Sequence, residues 1–174
     1  MADPLLAQLP STAFGDGSHP TTRLCARAVD YLGRTRSPAR VLDVGTGTGI
    51  LARIARKHGA TFVVGTDIDP RALAAAHRND ALDDSPIPIV WSNAAPDAWG
   101  PVFDLVVANL LEAPLRTLAP ALLAALAPGG TLLVSGILPS QAPALGFAFR
   151  PLVSSSSTLE GWTLLRFESA GTIR

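Results

Sequence analysis

The chain is predicted to fold as an open α/β structure, a mostly parallel sheet between layers of helices, and three observations point there. Short aliphatic runs alternate with longer segments rich in Ala, Leu and Arg. Several runs, such as Val102-Phe103-Asp104-Leu105-Val106-Val107, are apolar almost throughout, which suits strands buried on both faces. The first run leads directly into Gly45-Thr46-Gly47-Thr48-Gly49 and then an amphipathic segment. That strand, turn and helix order places a ligand crevice at the carboxyl ends of the strands.

Taken in order, Thr21 to Leu32 reads as a helix entered through the loop Ala13-Phe14-Gly15-Asp16-Gly17-Ser18-His19-Pro20-Thr21-Thr22, a run that no core element needs. Arg40 to Val44 reads as a strand, Gly49 to Lys57 as a helix, and Phe62 to Asp67 as the next strand. Asp69-Pro70 has the residues of an N-cap and first helical position, opening a helix from Pro70 to Ala81. Strands follow at Ile87 to Trp91, Phe103 to Ala108 and Thr131 to Ile137, with a helix from Leu111 to Leu126. Phe149 to Val153 and Trp162 to Phe167 complete seven strands as an antiparallel hairpin, joined by the polar Ser154-Ser155-Ser156-Ser157-Thr158. The stretch between Gln141 and Phe149 looks too short for a further helix.

Length and composition bound the function. The chain has 174 residues, 48% of them hydrophobic and 16% charged, which is one domain with enough apolar side chains for a sizeable core. Its formal net charge of zero argues against a broad nucleic-acid-binding face. Cys25 is the only cysteine; it has no partner for an intrachain disulfide and no Cys or His at metal-ligand spacing, so no metal is expected and a buried thiol is. No signal segment opens the chain, and Glu112, Pro114, Arg116 and Pro120 interrupt the apolar stretch from Leu110 to Ala127. The expectation is a cytoplasmic protein with no membrane partner.

The glycine loop carries the strongest local chemistry. Gly45, Gly47 and Gly49 permit a tight turn and a close approach of backbone to ligand. Asp67, at the end of the next strand, follows Gly45 by about the 20 residues at which dinucleotide folds place a ribose-binding carboxylate. A nicotinamide dinucleotide wants Gly or Ala at the third glycine position for helix packing, and Ile50 stands there. S-adenosylmethionine, which offers a ribose and no pyrophosphate, suits the pattern better. The plainer alternative is that the glycines only turn a corner.

Five stretches, "AFGDGSHPTT", "VLDVGTGTGILA", "GTDIDPRALAAAHRN", "DLVVANLLEAPLRTLAPALLAALAPGGTLLVSGIL" and "GWTLLRF", occur in the order found in the PrmA ribosomal-protein methyltransferases. The chain resembles that family from Ala13 onward. The resemblance implies a Rossmann-like class I fold and S-adenosylmethionine-dependent methylation of amino groups of ribosomal protein L11. It places cofactor contacts at Thr22, Gly45, Asp67 and Asn109, with Gly47 in the same loop, and makes the opening loop the segment that closes over the methionine end of the cofactor. Asp16 stands where many members have Thr. Full-length members carry a separate amino-terminal domain that presents the ribosomal protein; here only Met1 to Thr12 precede the loop, so a single methyltransferase domain over 1–174 with a short leader, 1–12, is expected.

In related amino methyltransferases an Asn or Asp after the fourth strand accepts a hydrogen bond from the target amine, and Asn109 matches. Methyl transfer needs a neutral amine; deprotonation at pH 7 costs about 4.6 kcal/mol for Lys and about 1 for a chain α-amine. His19 reads either as a catalytic base or, more in keeping with His before Pro, as a loop organiser or helix cap. Glu112 either touches substrate or faces solvent, Asp43 is expected to hold the glycine loop, Ser92-Asn93-Ala94 should pass the adenine, and Trp91 and Trp99 either wall that side or pack in the core. The alternatives to a protein-amine methyltransferase are a small-amine methyltransferase and a cofactor-binding interaction module without transfer activity.

Overall fold

A computed structural model describes residues 17–150 and 152–170. The leader 1–12 and the loop's first residues, Asp16 among them, lie outside the described residues. Chain order runs α1 (Pro20–Arg36), β1 (Arg40–Val44), α2 (Ile50–Lys57), β2 (Phe62–Thr66), α3 (Pro70–Asp80), β3 (Ile89–Ser92), β4 (Phe103–Asn109), α4 (Glu112–Ala125), β5 (Leu126–Ile137), α5 (Ala142–Ala148), β6 (Val153–Leu159) and β7 (Trp162–Glu168), with single 3-10 turns at Pro96–Trp99 and Pro139–Gln141. The seven strands form one sheet in the order β3-β2-β1-β4-β5-β7-β6. β1 to β5 are parallel, while β7 runs antiparallel to both β5 and β6. The strand order reverses beside β1, so the loops after β1 and β4 part there and leave the crevice expected of a doubly wound sheet.

The strands are apolar on both faces because both faces are covered. Val41, Val63, Leu105 and Leu133 belong to a cluster with Leu24, Val29 and Leu32 of α1 and Ile50, Leu51 and Ile54 of α2. Their neighbours Leu42, Val64, Val106 and Leu132 face the other way, against Leu115 and Leu122 of α4 and Leu145 of α5. The period-two alternation of the strands is thus split between two cores. Helix starts follow local chemistry: His19 caps α1 and Asp69 caps α3, each accepting from the backbone N–H two residues on, with Pro20 and Pro70 inside the first turn. At the far end of α1, Ser37 takes a left-handed backbone (φ 47°) and donates its N–H to Leu32 O at 3.1 Å.

Two expectations at the carboxyl-terminal end are corrected. The Ser154–Thr158 stretch is strand β6 rather than a turn; the reversal falls at Glu160 and Gly161, whose φ values of 50° and 81° give the twist of a two-residue hairpin. An edge strand has one pairing neighbour and an open rim, so it carries serines where a central strand would carry valines. Phe149, expected to begin that strand, instead follows a helix that was not expected, α5. It is fully buried, with its ring 5.0 Å from that of Phe167. The helix is only 7 residues long and has one buried anchor, Leu145, too little for a periodic signal.

Phe149→Ala should cost about 3–5 kcal/mol of stability. Ser155→Ala, on the exposed edge, should change it by less than about 0.5 kcal/mol. Urea denaturation of the two variants measures both.

Candidate functional site

The glycine loop leaves β1 and turns through left-handed backbone at Gly45, Gly47 and Gly49, with φ of 70°, 56° and 79°. Its amides are committed to protein acceptors: Gly45 and Thr46 N–H to Thr66 O (2.8 and 2.9 Å), Gly49 N–H to Thr46 O (2.9 Å), and Gly47 N–H to Asp67 Oδ2 (3.0 Å). A phosphate would need those donors free. Side-chain space is also used up. A Cβ on Gly45 would collide with the Leu110 side chain, and one on Gly49 would lie 2.6 Å from Trp91 Cη2.

Asp43 and Asp67 divide the work of holding this loop. Asp43 is buried beneath it, its Oδ2 accepting from Thr46 Oγ1 at 2.6 Å and from Ala52 N at 3.3 Å, which is the expected structural role. Burial, reinforced by the nearby charge of Asp67, pushes its carboxyl up to about 7 against the pull of those hydrogen bonds. Asp67 lies half-buried at the carboxyl end of β2, with Oδ1 accepting from Asp69 N at 3.0 Å and Oδ2 from Gly47 N. A carboxylate has about four lone-pair sites, so two remain for a ligand's hydroxyls.

On the other side of β1, the end of β4 and the start of α1 converge. Asn109 Nδ2 donates to Thr22 Oγ1 at 3.4 Å, joining residues separated by 87 positions. That contact orients the amide, and its oxygen, Oδ1, is enclosed without a hydrogen-bond partner among the described residues. His19 caps α1 three residues earlier, with Nδ1 2.8 Å from Thr21 Oγ1 and its ring 5.0 Å from that of Trp162. Asp67 and Asn109 stand at the ends of the two strands flanking β1, about 10 Å apart at two strand spacings.

Other residues fall differently. Asp69 Oδ1 accepts from Arg71 N at 2.9 Å as the α3 cap, as its sequence context predicts. Trp91 lies behind the glycine loop, in contact range of Gly49 and Gly65, with Nε1 donating to Asp80 Oδ2 at 3.2 Å. Trp99 packs edge-on to Phe62 at the opposite end of β2 from Asp67. Both serve packing. Ser92 O accepts from Asp67 N at 3.1 Å, so the end of β3 adjoins the carboxylate. Glu112 pairs with Arg116 at 2.8 Å, one turn along α4.

Three contributors escaped the reading of the sequence. Ile68, 95% exposed, offers an apolar surface next to Asp67. Leu110 fills the gap beside Gly45, and Gly136 (φ 92°) lets the Leu110 backbone pass where a Cβ would strike its carbonyl. The β5–β7 pairing shifts register between Val134 and Ile137, which brackets that glycine. An isolated Gly inside an apolar strand was the available signal.

Residues 5–168 match the family model for "Ribosomal protein L11 methyltransferase (PrmA)". The chain belongs to the PrmA family. It is 42% identical over 176 residues to the ribosomal protein L11 methyltransferase of Burkholderia vietnamiensis, covering 99% of this chain and 55% of that protein. The Geobacter metallireducens protein of the same name is 45% identical over 163 residues, covering 92% and 53%. The chain therefore spans about half the length of these curated PrmA relatives. The crystal structure of ribosomal protein L11 methylase from Lactobacillus delbrueckii subsp. bulgaricus superposes with a TM-score of 0.79 at 34% identity, covering 91% of this chain and 81% of that one. The N-methyltransferase NodS from Bradyrhizobium japonicum, at 19% identity and a TM-score of 0.65 over 88% of this chain and 98% of its own, shares the class I methyltransferase fold.

The Asp43 carboxyl gives this PrmA-family loop a pH signature. In the unfolded chain it ionises near 3.8; folded, near 7. Between those values the folded protein keeps a proton that the unfolded chain has lost, so this group's contribution to stability falls as pH rises through the window. Asp43→Asn keeps the acceptor and removes the ionisation. It should flatten the fall in urea midpoint between about pH 4 and pH 7 relative to the unmutated protein.

Proposed function

We propose that this chain binds S-adenosylmethionine and transfers its methyl group to an amine of a protein substrate, with a ribosomal protein as the family-based choice. The observation that carries the reading is the Asn109 amide: anchored through Nδ2 by Thr22, it has an enclosed carbonyl oxygen with no hydrogen-bond partner among the described residues. A buried acceptor left unsatisfied costs about 1–3 kcal/mol, so an N–H arriving there regains hydrogen-bond energy in the bound state.

The residues present fit the cofactor. Asp67 has lone pairs left for two ribose hydroxyls, Ile68 offers its exposed apolar surface to a flat ring, and the committed amides of Gly45, Gly47 and Gly49 present no pyrophosphate cradle. When bound, S-adenosylmethionine supplies an electrophilic methyl group. Asn109 Oδ1 accepts one N–H of a neutral amine and so aims the nitrogen lone pair. Being uncharged, it favours an ammonium less than a carboxylate would. Orientation of this kind lowers barriers by up to about 7–11 kcal/mol. His19 acts through the loop: its Nδ1 is engaged at the start of α1, which fixes the turn that delivers Thr22 to Asn109. The interaction-module alternative is not favoured, because Thr22, Gly45, Asp67 and Asn109 are all present in a shared rim. A ribosomal-protein substrate would place the reaction in the cytoplasm.

Calorimetry with S-adenosylhomocysteine should show Asp67→Ala losing roughly 1.5–3 kcal/mol of affinity. Asp69→Ala should bind nearly as the unmutated protein does while losing stability as a lost helix cap. Equal affinity losses in two folded variants would assign the ribose to the wrong carboxylate.

With labelled cofactor and ribosomal protein L11 or an amine panel, Asn109→Ala should keep cofactor binding and lose most transfer. Asn109→Asp should work only at higher pH, because the added charge holds the amine protonated. Transfer by Asn109→Ala at the unmutated rate, across the pH range, would remove Asn109 from the mechanism.

A further inference from the structure

Ser135 stands in the apolar run of β5 between Val134 and Gly136, and it is sealed from solvent. A hydroxyl in such a place costs free energy unless it is bonded, and an alanine would satisfy the apolar pattern of β5 equally well. The hydroxyl is bonded: Oγ donates to Thr163 O of β7 at 2.9 Å. The bond lies where the two strands lose step. Val134 pairs with Leu165 and Ile137 with Thr163, so Ser135 and Gly136 together oppose Leu164 alone. That is a bulge, which bends a strand and re-aims its neighbours, and the Ser135 hydroxyl spans it. Gly136, its second residue, takes the left-handed backbone (φ 92°) that makes room for the Leu110 carbonyl.

Three parts of the candidate site meet at this serine. In the parallel register Asn109 of β4 lies beside Ser135, and Leu110 N, the next amide, donates to Ser135 O at 3.0 Å. Thr163 follows Trp162, whose ring lies 5.0 Å from that of His19. The third part is α1. Cys25 is fully buried about one turn after Thr22 on the same helix face, and its thiol is hydrogen-bonded to the Ser135 side chain. Burial pushes that thiol up, so it keeps its proton; with the serine O–H given to Thr163, the S–H is the donor.

We propose that Ser135 is a positioning residue for methyl transfer: it pins the β5 bulge between β7, α1 and the end of β4, and so sets where Asn109 Oδ1 meets the amine without touching cofactor or substrate. The inference rests on the reading of Asn109 as the amine acceptor. Asp67 ends β2, on the other side of β1 from β4 and β5, so cofactor affinity depends little on the serine.

The test is a double-mutant cycle with Asn109→Ala, read by single-turnover transfer from labelled S-adenosylmethionine to ribosomal protein L11 and by calorimetry with S-adenosylhomocysteine. Ser135→Ala should lower the transfer rate about tenfold or more while affinity stays within about threefold, because orientation is sensitive to small displacements. In the Asn109→Ala background the same substitution should change the residual rate by less than about twofold. Leu126→Ala, at the opposite end of β5, is the stability control: it should lose at least as much in urea denaturation with the rate unchanged. In an isotope-labelled sample without substrate, Ser135→Ala should move the Asn109 side-chain amide resonances and leave the Asp67 backbone amide in place. If Ser135→Ala does not fold by circular dichroism, Ser135→Thr, which keeps the hydroxyl and adds a methyl group to a closed space, takes its place in the cycle. Independent losses in the cycle, an unchanged rate in Ser135→Ala, an equal rate loss in Leu126→Ala, or an unmoved Asn109 amide overturns the proposal. Failure of the unmutated protein to transfer to any amine would instead overturn the functional reading, while the Asn109 resonances still show whether Ser135 places the amide.

Discussion

Between Val44 and Ile50 the chain has to leave a buried central strand, reverse through three left-handed glycines and enter a helix, and it does so around two carboxylates. Asp43 holds the turn from below through Thr46 and Ala52; Asp67 holds it from the side through Gly47. The depth of each decides what else it can do. Asp43 is sealed in, so its lone pairs serve only the protein and its ionisation is opposed by burial. Asp67 is half-buried, and each of its oxygens accepts one backbone amide, so about half of its acceptor capacity is left over.

The same turn sets the position of the residues across β1. The missing Cβ of Gly45 is the space that the Leu110 side chain occupies, and the missing Cβ of Gly136 is the space through which the Leu110 backbone passes. Asn109 immediately precedes Leu110. Its amide is therefore located by two glycines, one in the loop after β1 and one on β5, before Thr22 orients it, with Leu110 N donating to Ser135 O at 3.0 Å as the remaining tie. A larger residue at either glycine would shift the acceptor without touching it, and well-oriented reactions lose rate steeply for displacements near 1 Å.

The central strands were legible because burial on both faces leaves a composition that loops do not share: β1 was read with its exact observed ends as Arg40 to Val44, and β4 differs only by including Asn109. β6 was not legible for the complementary reason. Apolar pattern reports burial, and an edge strand pairs without being buried, so four serines read as a turn. Phe149 misled in the opposite direction, being aromatic and near a valine yet serving as a core plug behind α5. In the site, Gly45, Gly47 and Asp67 were visible from their spacing because one βαβ unit holds them all. The Thr22 and Asn109 contact joins distant parts of the chain, and no local pattern encodes it; only the resemblance to a family brought the two residues together.

Helix α1 connects the site with the edge hairpin, and the forces on it can be ranked. Arg23 pairs with Glu160 in the hairpin turn at 2.9 Å, and Arg36 reaches Glu168 at the other end of β7 at 3.1 Å. Both pairs are largely exposed, so each contributes at most about 1 kcal/mol and less in salt. Leu24, Val29 and Leu164, by contrast, are buried in one cluster, and each such side chain contributes about 1.5–3 kcal/mol. The His19 and Trp162 rings extend that packing to the first turn of α1. Apolar contact with the hairpin therefore holds α1 at its depth over the sheet, while the ion pairs only set its direction. Since Thr22 rides on the first turns of that helix, the position of its hydroxyl against Asn109 depends on how α1 packs on β7, whose first residue, Trp162, meets the His19 ring at the carboxyl end of β5.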